Sequence, residues 1–274
     1  MFIKIKADKY YQEKKFFDNG FTFFSNKSEN FLHLIKLANK QCKSFLQNYH
    51  DKRFTNKEGE SKHLGNPHYN NKIFNDIIKL VTNNILKTTF PNKNFYTTHS
   101  KISYKVPGLI TNWYPHQDNG YKSKSFRGFS VAVFLEDADE NNGSLELFPK
   151  SHKYGTLEHI KIIDIGGWSQ LSIKNELAEI PNLLEAKAGD VVVFNLDTVH
   201  QSKNNNSQTN RFVFIFEIFE FGQNNKYLTL DEDNRVPTLL PDKFSTINLI
   251  YKTLNMLQKT IFILKNIMKK RTNY

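Results

Sequence analysis

The chain has 274 residues, 39% of them hydrophobic, with 24 Phe and 12 Tyr, enough large apolar side chains to bury a core and to exclude a disordered protein. Its formal charge of +11 admits an anionic partner, but Lys is spread along the chain among abundant Asn and no recognition motif accompanies it, which argues against nucleic acid. A single cysteine, Cys42, excludes an intramolecular disulfide and points to a reducing compartment; with no signal-like or membrane-spanning apolar run in the sequence, the expected location is the cytoplasm.

The first predicted elements lie in "KKFFDNGFTFF": a short helix, a turn at Asn19-Gly20, and a Phe-rich strand. From Ser28, a plausible cap, the apolar positions Phe31, Leu34, Ile35, Ala38, Cys42, Phe45 and Leu46 recur at three- and four-residue intervals, the spacing of an amphipathic helix with Cys42 in its core. Residues 51–70 are polar and broken by Gly59, Gly65 and Pro67, so they read as a loop carrying His63 and His68 as solvated side chains. A third helix is expected from 71 until Pro91 stops it.

Beyond Pro91 come short β-like runs at 95–105, 109–114, 128–136, 144–148, 190–196 and 211–221. Strands at this spacing after helices predict a mainly β fold with flanking α, an antiparallel sandwich or barrel backed by N-terminal helices. The segment 152–188 is a long insertion that reads as a lid or a surface excursion. In the tail, apolar residues at 247, 250, 254, 257, 261, 264 and 268 make a heptad seam interleaved with Lys252, Lys259, Lys265, Lys269, Lys270 and Arg271. Such a basic amphipathic helix packs on its own domain, pairs subunits in a homodimer, or makes weak contact with an acidic membrane surface.

The chemistry-bearing stretch is "NWYPHQDNGY", where His116 and Asp118 stand two apart and would share one side of an extended strand while Gln117 turns away. An imidazole and a carboxylate suit a borderline divalent metal, although the triplet alone is unspecific. A compatible piece follows 82 residues after Asp118: in "AGDVVVFNLDTVHQSKNNNSQTNRFVFIFEIF", His200 follows an apolar strand, and eleven residues later Arg211 opens another, with its guanidinium expected at the mouth of the sheet.

These pieces, with "KVPG", "LEDADENNGSLELFPKSHK" and "HQSKNNNSQTNR", resemble the iron(II)- and 2-oxoglutarate-dependent oxygenases of the phytanoyl-CoA dioxygenase type, from about residue 10 to about 221. The resemblance implies a double-stranded β-helix, a jelly-roll, cupin-like barrel, in one domain over 1–240 (helical N-terminal region 1–91, barrel 92–222) followed by a C-terminal helix over 241–274. It implies that His116, Asp118 and His200 hold Fe(II), that Arg211 grips the distal carboxylate of 2-oxoglutarate, and that O2 completes the reactants. The implied reaction hydroxylates an aliphatic C–H bond of a small molecule and releases succinate and CO2. Ser202, Asn204 and Ser207 match polar positions of the turn after the distal histidine; shaping that turn is the simpler role, with Ser202 retained as a cosubstrate contact. His152, in the matched "SHK", reads as structural, and Ala132 stands where many relatives carry an aromatic residue.

Asp118 argues against the halogenases of this type, which carry a small residue there, and Glu217 stands where nucleic-acid demethylases of the superfamily carry a second arginine. Tyr121, Lys122, Lys124 and Arg127, close after the first ligands, and Trp168 in the long insertion are the substrate candidates, the basic ones favouring an anionic molecule. The competing readings are a noncatalytic metal- or ligand-binding protein of the same fold and a nucleic-acid-directed oxygenase.

Overall fold

The structure is a computed structural model that describes residues 1–9, 11–48, 64–69, 71–83, 95–108, 112–122, 128–165, 168–220 and 238–239. The helix α1 (Glu13–Asn19) ends at Gly20, whose φ of 88° is the left-handed conformation a helix C-terminus favours, and its amide donates back to Phe16 O. The turn delivers the chain into β2 (Phe21–Ser25), as the Phe-rich run predicts. Helix α2 (Glu29–Asn48) buries Phe31, Ile35, Ala38 and Cys42; Ser28 turns its hydroxyl to Asn26 Oδ1. Helix α3 (Lys72–Val81) is capped by Asn71, whose side chain accepts from the Ile73 amide; the expected continuation to Pro91 lies outside the described residues.

The strands form two principal sheets. In the larger, β14 (Thr238–Leu239), β4 (Phe95–Lys105), β13 (Arg211–Glu220), β6 (Gly128–Phe134), β11 (Asp190–Asn195) and β2 follow one another, with β3 (Leu64–Gly65) also paired to β4. In the smaller, the order is β1 (Ile3–Lys6), β10 (Asn182–Glu185), β7 (Leu145–Leu147), β12 (His200–Ser202) and β5 (Trp113–His116). Among the described residues the strands pair antiparallel except β1 with β10, and Asp8 adds an isolated parallel bridge to Phe24 of β2.

Alternation along β13 sorts its side chains between two layers. Phe212, Phe214, Phe216 and Ile218 join Phe31, Ile35, Phe74, Ile77 and Ile78 in a core beneath α2 and α3, where the Phe74 and Phe214 rings lie 4.9 Å apart. Val213 faces the other way, into a second core with Phe21, Phe23, Phe134, Leu147, Leu184, Val192 and Phe194 between the two sheets. Each buried Phe contributes about 2–3 kcal/mol of apolar burial, so the two layers are held by side chains the composition made available.

Three features depart from the sequence reading. The region read as helical also supplies β1 to the smaller sheet and β3 to the edge of the larger one, beyond the expected β2. His68, expected to be solvated, is 3% exposed: it lies in a short turn under β4, its Nδ1 against Ser100 Oγ, because β3 and this turn pack onto the sheet edge. The long insertion is mostly ordered structure, a hairpin of β8 (His159–Ile165) and β9 (Trp168–Ile173), and then β10 inside the smaller sheet. No helix among the described residues is long and apolar enough to cross a membrane. His63, the C-terminal heptad segment 241–274 and the roles read into it lie outside the described residues.

Candidate metal centre

The register of the smaller sheet explains how residues far apart in sequence meet. β12 runs antiparallel to β5 with His200 directly opposite His116. Their rings lie 4.3 Å apart between centroids. Asp118 follows in the tight turn after β5, and its Oδ1 stands 3.8 Å from His200 Nε2. The three side chains are buried, and one ligand atom from each lies within 4.8 Å of the others.

Each histidine is oriented by a main-chain acceptor. His116 Nδ1 donates to Tyr114 O at 2.6 Å, and His200 Nδ1 to Thr198 O at 3.0 Å. With Nδ1 carrying the proton, each Nε2 presents a lone pair, the form a metal ligand requires. Burial, and for His116 also the neighbouring His200, keeps both pKa values below the ordinary histidine value, so both rings are neutral at neutral pH. Burial alone would raise Asp118. The positive charges around it, His200 when protonated in the acid range and then Lys101 and Lys122, outweigh that and hold it ionised well below the usual carboxylate range. Its second oxygen accepts from Ser130 Oγ on β6, so the carboxylate ties the turn to the opposite sheet and leaves Oδ1 free.

Gln117 turns away from this cluster and secures the turn. Its side-chain amide donates to Gly155 O at 2.8 Å and Asp197 O at 2.6 Å, while its Oε1 accepts from the Leu157 amide at 2.7 Å. Its own amide donates to His159 Nε2 at the foot of β8. Asn119 repeats the device through Asp197 Oδ1. Aromatic rings enclose the cluster: Trp113 and Tyr121 lie 5.7 and 5.5 Å from the His116 ring, and Phe194 lies 4.8 Å from His200.

Arg211 is the first residue of β13 and is 1% exposed, because it shares the inward face of that strand with Val213. Its Nη2 donates to Gly143 O at 2.9 Å, whereas Nε and Nη1 are buried with no hydrogen-bond partner. Burial presses its pKa down to about 9, which still leaves it charged at neutral pH. A buried guanidinium with two donors unsatisfied is a strong indication of a missing acceptor. Lys105, its register partner on β4, is buried too and donates to the carbonyls of Ser202 and Lys203. The donor set therefore fits what the resemblance implies: two neutral imidazoles and a carboxylate for a divalent metal, and a guanidinium fork for a carboxylate.

The remaining sequence candidates fall into different places. Ser202 is buried on β12, two residues from His200 and on the same face. Ser207 shapes the following turn by donating to Asn205 Oδ1, and His152 is a structural pin through Phe17 O. Ala132 is buried in the core between the sheets. Tyr121 accepts from the Leu171 amide, which docks the β8–β9 hairpin beside the cluster. Lys122 is no free cation: its Nζ pairs with both oxygens of Glu217, at 3.0 and 3.1 Å. Trp168 opens β9, but its side chain lies outside the described residues, as do Lys124 and Arg127. Sequence reasoning missed Ser130, Lys101 and Lys105, all on strand positions where only register reveals which face they take.

Comparison with known proteins adds three findings. The family profile described as Phytanoyl-CoA dioxygenase (PhyH) matches residues 23–213. Among curated proteins, phytanoyl-CoA dioxygenase 1 of Oryza sativa subsp. japonica is 32% identical over 144 residues, covering 46% of this chain and 50% of that protein. The match thus spans about half the length of that relative. A protein of Stutzerimonas stutzeri described as a "probable alpha-ketoglutarate-dependent hypophosphite dioxygenase" is 24% identical over 219 residues, covering 73% of this chain and 74% of its own. Among solved structures, the non-heme monooxygenase ThoJ aligns with a TM-score of 0.60 at 18% identity over 76% of each chain. EctD from S. alaskensis with 2-oxoglutarate and 5-hydroxyectoine aligns with a TM-score of 0.56 at 16% identity, over 76% of this chain and 74% of that one. At these identities the structural likeness shows a shared fold, that of the jelly-roll oxygenases.

Proposed function

The chain belongs to the phytanoyl-CoA dioxygenase family, and from that premise we propose that it is an Fe(II)- and 2-oxoglutarate-dependent dioxygenase that hydroxylates an aliphatic C–H bond of a small molecule. The observation that carries the reading is the pairing of the oriented His116, Asp118 and His200 cluster with a buried Arg211 that keeps two donors unsatisfied. His116 and His200 would hold the metal through Nε2 and Asp118 through Oδ1. Arg211 would take the distal carboxylate of 2-oxoglutarate on Nε and Nη1, with Ser202 nearby on the face of His200. When bound, Fe(II), 2-oxoglutarate and O2 supply the oxidising power, releasing succinate and CO2. The chain's own role is geometry and exclusion of water: Ser130 fixes the carboxylate, main-chain carbonyls fix the imidazoles, and Trp113, Tyr121 and Phe194 wall the site.

The test is anaerobic titration of the metal-free protein with Fe(II) and 2-oxoglutarate, following the weak visible metal-to-ligand charge-transfer band. We expect the band in wild type, none in His116→Ala, and a half-saturation for 2-oxoglutarate raised about 10- to 100-fold in Arg211→Met, as loss of a charge-assisted bond predicts. Absence of the band in folded wild type would overturn the assignment and leave the noncatalytic reading.

A further inference from the structure

On the inward face of the larger sheet, β4 places Lys101, Ser103 and Lys105 opposite Ile215, Val213 and Arg211 of β13. Val213 belongs to the core between the sheets and Ile215 packs against it, so Lys101 projects from the same face. Its ammonium lies 5.5 Å from the centre of the Trp113 ring, and that ring stacks beside His116. Its charge acts on His116, Asp118 and His200 alike.

Of the other lysines near the cluster, one is paired with a carboxylate and one is spent on main-chain carbonyls. Lys122 is cancelled by Glu217. Lys105 is buried and donates to two carbonyls, and burial, with the neighbouring Arg211, holds its pKa below the ordinary lysine value against the pull of Glu146. Lys101 is half-buried, and among the described residues no carboxylate stands within ion-pair distance of it. The bound reactants would not supply the missing charge. A divalent metal held by one carboxylate keeps a single positive charge, and a dianionic cosubstrate is balanced by that and by Arg211. One ammonium then remains over Trp113 within electrostatic reach of the cluster, and a half-buried charge with no carboxylate partner favours a ligand of opposite sign.

We propose that Lys101 is the specificity residue of this site and that the primary substrate carries a compact anionic group, a carboxylate or a phosphorus oxyanion, held against the Lys101 ammonium next to the metal. The inference rests on the Fe(II) and 2-oxoglutarate reading above. It moves anion recognition from Lys122, whose charge is already cancelled, to a residue that the spacing of the sequence motifs does not single out.

The experiment uses wild type, Lys101→Met and Lys101→Arg, each loaded without oxygen with Fe(II) and saturating 2-oxoglutarate. Acetate, phosphite and methylphosphonate are titrated in turn, with acetamide as the neutral counterpart, and the shift of the charge-transfer band is followed. At least one anion should shift the band in wild type and in Lys101→Arg, while Lys101→Met requires about tenfold or more of the same anion. Acetamide should leave all three unchanged, and the half-saturation for 2-oxoglutarate should move less than about twofold. The proposal is overturned if the anions act equally on wild type and Lys101→Met, or if none acts on a wild type that shows the band. It is overturned equally if Lys101→Met loses affinity for 2-oxoglutarate instead, which would assign the ammonium to the cosubstrate. A wild type without the band removes the metal reading itself, a result distinct from a band that ignores every anion.

Discussion

Two main-chain carbonyls decide which nitrogen each imidazole offers. Because Tyr114 O and Thr198 O are backbone atoms, no side-chain substitution at those positions deletes the acceptor, and the orientation of His116 and His200 is secured by strand geometry. Asp118 differs: its orienting partner is the side chain of Ser130 on the opposite sheet. Removing that hydroxyl frees the carboxylate to rotate without touching a ligand atom. Ser130→Ala is therefore expected to weaken Fe(II) or Co(II) binding about 10- to 100-fold, the usual effect of losing an outer-sphere partner, with the fold intact by circular dichroism. Tyr114→Phe should bind metal as wild type does. Equal affinities for Ser130→Ala and wild type would show that the turn alone positions Asp118.

At the level of elements, the site depends on how β12 and the turn after it are held. Arg211 donates to the carbonyl of Gly143, and Lys105 donates to the carbonyls of Ser202 and Lys203. Gly143 has a φ of 73°, and a Cβ there would collide with Lys203 O and lie 2.9 Å from Asn204 O. Gly108 has a similar φ of 76° but open space around it. Alanine at both positions meets the same class of backbone strain, and only at 143 does it also push the turn that bears on Arg211. Gly143→Ala should lose about 2–4 kcal/mol and raise the half-saturation for 2-oxoglutarate, whereas Gly108→Ala should lose about 1–2 kcal/mol and leave that constant unchanged. Urea unfolding and the anaerobic titration read the two effects, and equal behaviour of the variants would detach the turn from cosubstrate binding. The same elements show what was legible beforehand. The Asn19-Gly20 turn, the Phe-rich β2 and the apolar strands announce themselves through residue type and alternation. The parallel seat of β1 on β10, and the inward facing of Lys101 and Ser130, depend on register with partners far away in the chain, which local pattern does not contain. His116, Asp118, His200 and Arg211 were readable because their spacing is carried by a motif. The burial of His68 was not, since a polar segment that packs onto a sheet edge looks in sequence like any loop.

At the scale of the whole molecule, three histidines among the described residues, His68, His116 and His200, are buried and neutral in the metal-free protein. Burial is the first cause in each case, and it takes His68 down to about 4 from an ordinary value of 6.5. An unfolded chain binds protons on these rings as pH falls through about 6.5, while the folded chain refuses one at His68 until about 4. Between those values the unfolded state holds more protons, so the stability contribution is fully present above 6.5 and declines as pH falls to about 4, levelling off below. One such group changes stability by at most about 1.4 kcal/mol per pH unit, so His68 alone is worth a few kcal/mol across the window. Urea unfolding of the metal-free protein at several pH values should therefore show stability falling on acidification, with a shallower slope in His68→Gln by about one proton. The slope is the readout, because the substitution also changes packing against Ser100 and Tyr69 and shifts the whole curve. An identical slope in wild type and His68→Gln would mean that His68 takes up its proton in the folded state at the ordinary value. Saturating metal should add stability at neutral pH and lose that addition on acidification, since protons compete for His116 and His200 at the nitrogens that would bind the ion. The two effects separate cleanly: His68→Gln alters the metal-free slope and leaves the metal increment, whereas His116→Ala removes the increment.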